Sequence, residues 1–104
     1  MILNIRGGGA VPGLPDDAVV EIPCTVDRDG AHAAALRPAE GHQLGTMQQV
    51  KAVERAVIEA ASTGSADAAL RAFALHPLVD SVTTARRLLA GYRAAFPEVD
   101  ALLS

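Results

Sequence analysis

The sequence predicts an α+β fold: a small antiparallel sheet or hairpin over about residues 1–36, then an array of about three helices over about residues 43–103. Two observations predict it. Alternating apolar residues and Gly, Pro and Asp turn signals are gathered in residues 1–42, whereas residues 43–104 carry apolar groups at helical spacing with cap and stop residues between them. No internal repeat, linker or low-complexity tract interrupts this order, so a single domain over 1–104 is expected.

The elements follow in chain order. Leu3-Asn4-Ile5 is a short strand closed by Gly7-Gly8-Gly9. A second strand runs from about Ala18 to Val26, with Val19, Val20, Ile22, Cys24 and Val26 putting apolar groups mainly on one face. Asp27-Arg28-Asp29-Gly30 is a turn, and Asp29-Gly30 is a pair favoured in hairpins because glycine tolerates positive φ. Ala31 to Leu36 would return, weakly, since alanine is a poor strand former. Thr46-Met47-Gln48-Gln49 fits a capping box, placing the start of a long helix there. Met47, Val50, Val53, Val57 and Ala60-Ala61 form its apolar stripe, and Thr63-Gly64 its stop. Ser65 caps a second helix carrying Leu70, Phe73 and Ala74 inward, which must end before Pro77. Asp80 or Ser81 starts a third, with Val82, Ala85, Leu88, Leu89 and Tyr92 as its apolar side; Glu98 to Leu103 adds one frayed turn.

Half of the 104 residues are hydrophobic, yet 21 are alanine and three are aromatic. Alanine buries little apolar area, so a thin core is expected, with helices that lean on something else. Net charge is −3 without a basic stripe, which argues against nucleic acid and anionic membrane as partners. The chain has one cysteine, which excludes an internal disulfide and a four-ligand thiolate site, and Cys24 reads as a small core residue. No apolar leader follows Met1 and no run approaches the ~20 residues of a membrane span, so a cytoplasmic location is expected.

Candidate chemistry is sparse. Gly7-Gly8-Gly9 invites a phosphate-loop reading, but leads into Val11-Pro12-Gly13-Leu14-Pro15 and not into a helix. Asp16-Asp17 and Glu21 fit a solvated turn and the polar side of a strand better than an acid–base pair. Asp27-x-Asp29-Gly30 opens like a calcium loop, yet Pro38 stands where a bidentate glutamate is required. His32, His42 and His76 are far apart, with no ligand-spaced partner. No serine sits in a nucleophile elbow. The residues alone therefore offer no assembled active site.

A resemblance takes the reading further. Asn4-Ile5, then Gly9-Ala10-Val11-Pro12-Gly13-Leu14-Pro15-Asp16-Asp17-Ala18-Val19-Val20-Glu21-Ile22-Pro23, is similar to the C-terminal region of glycoside hydrolase family 4. Gly41-His42-Gln43-Leu44-Gly45, Val50-Lys51-Ala52-Val53-Glu54-Arg55 and Ala72-Phe73-Ala74-Leu75-His76-Pro77-Leu78-Val79 continue it over nearly the whole chain. Within the family, the pattern resembles the 6-phospho-β-glucosidases. The resemblance implies a parent enzyme that oxidises C3 of a phosphorylated glycoside with bound NAD⁺, eliminates the aglycone, adds water and reduces back, with Mn²⁺ polarising the C3 carbonyl. It also implies that the nucleotide-binding Rossmann domain, the Cys and His metal ligands and the catalytic base all lie upstream of the matched region. No catalytic, cofactor-binding or metal residue is then expected in this chain. Gly7 stands where the family's Asn-x-Gly step carries asparagine, which leaves Asn4 and Arg6 as the residues expected at the substrate cleft.

The reading is a C-terminal, substrate-side and oligomerisation portion of such a glycosidase, inactive alone. It would pair with its own N-terminal domain and form a homo-oligomer through the helices. The alternative is a stand-alone interaction or oligomerisation module descended from the family. A small domain binding sugar phosphates through Gly7 to Gly9 ranks last.

Overall fold

A computed structural model describes residues 1–104, and they adopt the expected α+β order. The elements are β1 (Ile2–Arg6), β2 (Val19–Asp27), β3 (Gly30–Ala33), α1 (Gly41–Thr63), α2 (Ala66–Leu75), α3 (Val82–Ala95) and α4 (Pro97–Leu102). The chain divides into two compact units, Met1–Gln48 and Gln49–Ser104, each described by itself below.

In the first unit the antiparallel sheet has the order β1-β2-β3, with β2 central. Its N-terminal half pairs with β1, from Arg6↔Val19 to Ile2↔Pro23, and its C-terminal half pairs with β3, from Cys24↔Ala33 to Asp27↔Gly30. Pro23 sits where β2 changes partner, a place where a residue without an N–H donor does little harm to the ladder. Alternation sends Val20, Ile22 and Cys24 inward to meet Val11 and Leu14 from the long turn, with Leu3, Ile5, Ala10 and Met47 packed around them. Cys24 is thus a buried core thiol, as its strand position predicts.

The hairpin differs in detail from expectation. Asp27 and Gly30 are cross-strand partners, so Arg28-Asp29 forms the loop rather than Asp29-Gly30. Neither loop residue has positive φ; Gly30 alone does, at 123°. The Asp27 carboxylate accepts the Asp29 N–H at 2.8 Å, which closes the turn through a side chain. β3 also ends at Ala33 rather than Leu36, because all four of its residues are exposed and no further strand holds it.

The helical half contains four helices, not about three. α4 forms where a frayed turn was expected: Pro97 stands at its first turn, and Glu98 and Asp100 meet the positive end of the dipole. α1 starts at Gly41, about a turn before the expected capping box, so Thr46 lies inside the helix and caps nothing. Leu44, in that extra turn, packs against Gly13, where an added Cβ would lie 2.9 Å from its Cδ1. Gln48 and Gln49 bond outward instead, to the carbonyls of Gly13 at 2.9 Å and Leu75 at 2.6 Å.

The later signals hold. The Ser65 side chain accepts the Ala68 N–H and the Ser81 side chain that of Thr84, capping α2 and α3. Gly64 stops α1 at φ 71°. There it receives the chain's end: Ser104 N–H donates to the Gly64 carbonyl at 2.8 Å, and Ala66 N–H to that of Ser104 at 3.2 Å. The core of this unit is Ala60, Ala68, Ala69 and Leu103, with Ala66, Leu89 and Val99 beside it. No helix is long and apolar enough to cross a membrane.

Candidate functional site

The side of the sheet away from the core is where the first unit presents polar chemistry. Strand alternation leaves Ile2, Asn4 and Arg6 of β1 exposed while Leu3 and Ile5 turn inward. On the half of β2 that pairs with β1 the exposed set is Val19, Glu21 and Pro23. Register places Asn4 directly opposite Glu21 and Arg6 opposite Val19, so Glu21 is also the diagonal neighbour of Arg6. The two residues expected at a cleft therefore share one face with the Glu21 carboxylate, which lies beside Asn4. Farther along the same sheet, His32 lies opposite Thr25, and its Nε2 is 3.0 Å from Asp27 Oδ1. That hydrogen bond, helped by the Asp29 amide, holds the Asp27 carboxyl below its ordinary value.

The glycine run leading off β1 is not an anion cradle. Gly7 N–H donates to Ala18 O and Gly8 N–H to Asp16 O, both at 2.8 Å, and Ala10 N–H donates back to Gly7 O at 2.9 Å. These amides already tie the run to the turn before β2, which removes the donors a phosphate would need. Gly8 and Gly9 adopt φ of 56° and 89°, whereas Gly7 does not have positive φ. A Cβ at Gly7 would lie 3.2 Å from Ala18 O, so a side chain there asks only a small adjustment.

Metal-ligating residues stay apart. No group of three or more His, Cys, Asp or Glu side chains converges. Cys24 Sγ points to the Ile22 carbonyl at 3.4 Å inside the sheet core, out of reach of an incoming ion. His42 is exposed in the first turn of α1. His76 caps α2, and its Nδ1 accepts the Leu78 N–H at 3.1 Å.

The second unit carries a feature that the sequence reading missed: an open, almost wholly apolar groove of about 390 Å³. Ala60, Ala69 and Ala72 form part of its floor, and Phe73, Tyr92 and Leu102 rise around them. Phe73, Tyr92 and Phe96 form one aromatic chain, with centroids 5.6 Å and 5.9 Å apart. The i, i+4 spacing of Tyr92 and Phe96 was the available signal. What it did not carry is that the cluster stays uncovered, with Val57, Tyr92 and Leu102 each about half exposed.

Against this geometry, similarity to known proteins is decisive for kinship. Residues 1–79 match the model of the family 4 glycosyl hydrolase C-terminal domain. The chain belongs to this family. It is 37% identical over 87 residues to a probable 6-phospho-β-glucosidase of Bacillus subtilis, covering 84% of this chain and 20% of that protein. With the 6-phospho-β-glucosidase BglT of Thermotoga maritima the identity is 39% over 88 residues, covering 85% and 21%. The chain thus spans about a fifth of the length of these curated relatives.

Solved structures agree. A Thermotoga maritima 6-phospho-β-glucosidase, determined with manganese, NAD⁺ and glucose-6-phosphate, superposes with a TM-score of 0.82 at 36% identity. That match covers 95% of this chain and 24% of that one. A 6-phospho-α-glucosidase from gut microorganisms, in complex with NAD and glucose-6-phosphate, gives 0.87 at 29% identity, covering 95% and 23%. This family 4 C-terminal domain is therefore seen in relatives named for both anomers.

Proposed function

We propose that this chain is the substrate-side portion of a 6-phospho-β-glucosidase-like enzyme whose NAD⁺- and Mn²⁺-dependent reaction centre is built by residues outside it. The observation that carries the reading is the match of residues 1–79 to the family's C-terminal domain. The donor set here does not fit either cofactor: the cysteine is buried, the histidines stand apart and the Gly7 and Gly8 amides are engaged. No step of the reaction is therefore assigned to residues of this chain.

Its contribution is structural and positional. The sheet closes the substrate-side domain, with Asn4 and Arg6 facing the sugar cleft from the polar side and Glu21 fixing their charge environment. The exposed Asn4 amide and Arg6 guanidinium offer donors, and the Glu21 carboxylate an acceptor, for the hydroxyls of a sugar. The helices pack against the N-terminal domain and a second subunit, which is favoured by an alanine core and by half-exposed Val57, Tyr92 and Leu102. A buried partner face supplies the apolar contact that small side chains cannot.

The test is an assay of the purified 104-residue chain with NAD⁺, Mn²⁺ and a chromogenic 6-phospho-β-glucoside. No turnover and no NAD⁺ binding are expected; hydrolysis above the buffer rate would overturn the reading. In the longer enzyme, Arg6→Ala should raise KM for the phosphorylated glycoside with Mn²⁺ affinity unchanged.

A further inference from the structure

We infer that His76 makes the turn between α2 and α3 a proton-sensitive latch, closed while its ring is neutral and open once the ring is charged. The chain between the two helices runs His76-Pro77-Leu78-Val79-Asp80-Ser81. His76 caps α2 and Pro77 cannot continue a helix, so the backbone must turn here. Val79 N–H donates to the His76 carbonyl at 3.0 Å, and Gln49 Nε2 donates to the preceding Leu75 carbonyl at 2.6 Å. A further tie comes from the His76 side chain, whose Nδ1 accepts the Leu78 N–H at 3.1 Å. It is the imidazole counterpart of an Asx turn, in which a side-chain oxygen takes the N–H two residues on.

That tie depends on a proton. Nδ1 accepts only through its lone pair, so the ring must be neutral with its hydrogen on Nε2. A charged imidazole carries donors on both nitrogens and no acceptor, and the Leu78 N–H then loses its partner. The charged ring is not stranded, because it stands at the C-terminal end of α2, where the helix dipole attracts a cation. The latch is therefore closed at higher pH and opens on acidification.

The surroundings leave this response to the ring itself. Of the side chains from α1, α3 and α4 that line the apolar groove with His76, Tyr92 alone carries a titratable group. Gln49, the α1 side chain bonded to this turn, is neutral. The one charged residue of the connection is Asp80. The Thr84 and Ser81 hydroxyls hold its carboxyl below its ordinary value, so it stays charged while imidazoles titrate.

What the latch governs is the presentation of Leu78. At 89% exposure it is the most exposed of the large apolar side chains, held out in water by an ordered turn. Opening frees this apolar tip from a fixed position. No cofactor, sugar or second subunit is involved, so the latch stands apart from the glycosidase reading.

The test is nuclear magnetic resonance of the isotope-labelled 104-residue chain from about pH 8 to about pH 5, the span over which imidazoles titrate. At the upper end the ring nitrogens of His76 should report the tautomer with hydrogen on Nε2. There the Leu78 amide should exchange with water about fivefold more slowly than in an unstructured chain, the protection that one exposed hydrogen bond supplies. As the His76 ring takes up its second proton, that protection should vanish on the same curve. His76→Asn is the control, because its side-chain oxygen can take the same N–H yet does not titrate. In it Leu78 should stay protected throughout, whereas His76→Ala should leave Leu78 unprotected at every pH. Leu78 protection that outlasts the charging of the ring, or that follows a curve other than that of His76, would overturn the inference. So would the same pH dependence in His76→Asn.

Discussion

The sheet unit and the helical unit build different interiors. The first buries Val11, Leu14, Val20, Ile22 and Cys24 around a single focus. The second buries six alanines with only Val53 and Leu103 beside them, and leaves Val57, Leu88, Tyr92, Phe96 and Leu102 at least one third exposed. Alanine at the centre lets helices approach closely but removes little apolar surface from water, so the larger side chains end up on the outside. A unit of that kind reads as one side of a larger packing arrangement. Hydrophobic content is therefore no measure of self-sufficiency; what matters is which side chains reach the centre.

The comparison can be broken most forcefully at Gly64. Its φ of 71° disfavours any side chain, and a Cβ there would lie 2.5 Å from the Leu102 carbonyl oxygen. Gly64→Ala should destabilise the helical unit by about 4 kcal/mol, combining left-handed strain with a backbone clash. Urea unfolding followed by amide exchange should show α2 and α4 protection lost while Val20 and Ile22 stay protected. Uniform loss in both units would mean that they unfold as one.

The sheet unit has its own weak point. Ile22 is 5% exposed at the centre of β2, and Ile22→Ala should cost about 3 kcal/mol through lost burial and the cavity left behind. Truncating half-buried Leu89 in the helical unit should cost distinctly less, about 1–2 kcal/mol. Chemical denaturation of the two variants, ranked in the opposite order, would contradict the contrast drawn between the cores.

Smaller effects sharpen it further. Ser65→Ala removes the side chain that caps α2 through the Ala68 N–H at 3.1 Å, and should lower helical-unit stability by about 1 kcal/mol in thermal melts. At the hairpin, the His32 hydrogen bond depresses the Asp27 carboxyl below its ordinary 3.8. A depressed carboxyl contributes stability that is present above 3.8 and is lost as pH falls through the lower folded value. Hairpin amide shifts should therefore change on acidification below about pH 4, and Asp27→Asn should remove that dependence. A titration unchanged by the substitution would show that the carboxylate does not hold the turn.

Much of the fold was legible in the sequence because local chemistry decides it. Ser65, Ser81 and Gly64 act within one turn of themselves, and alternation along Val20, Ile22 and Cys24 fixes which side of β2 is inward. The same alternation put Asn4 and Arg6 together on the opposite side. Two elements escaped for tertiary reasons: α1 gains its first turn where Leu44 packs on Gly13, and α4 is held by Arg93–Asp100 and the Ser104–Gly64 contact. The apolar grooves of the second unit were illegible for another reason. Periodicity tells which of Val57, Leu88 and Tyr92 share a helix face, but not whether anything in the chain covers it.

The central claim is that these units are one portion of a larger family 4 enzyme, completed by chain outside residues 1–104. The intact mass of the polypeptide made by the native gene tests it most directly. The account predicts about four times 10.7 kDa, since the 87 matched residues make up 20% of its Bacillus subtilis relative. A native product of 10.7 kDa would contradict it, leaving no residues to build a nucleotide domain and making the stand-alone interaction module the correct description.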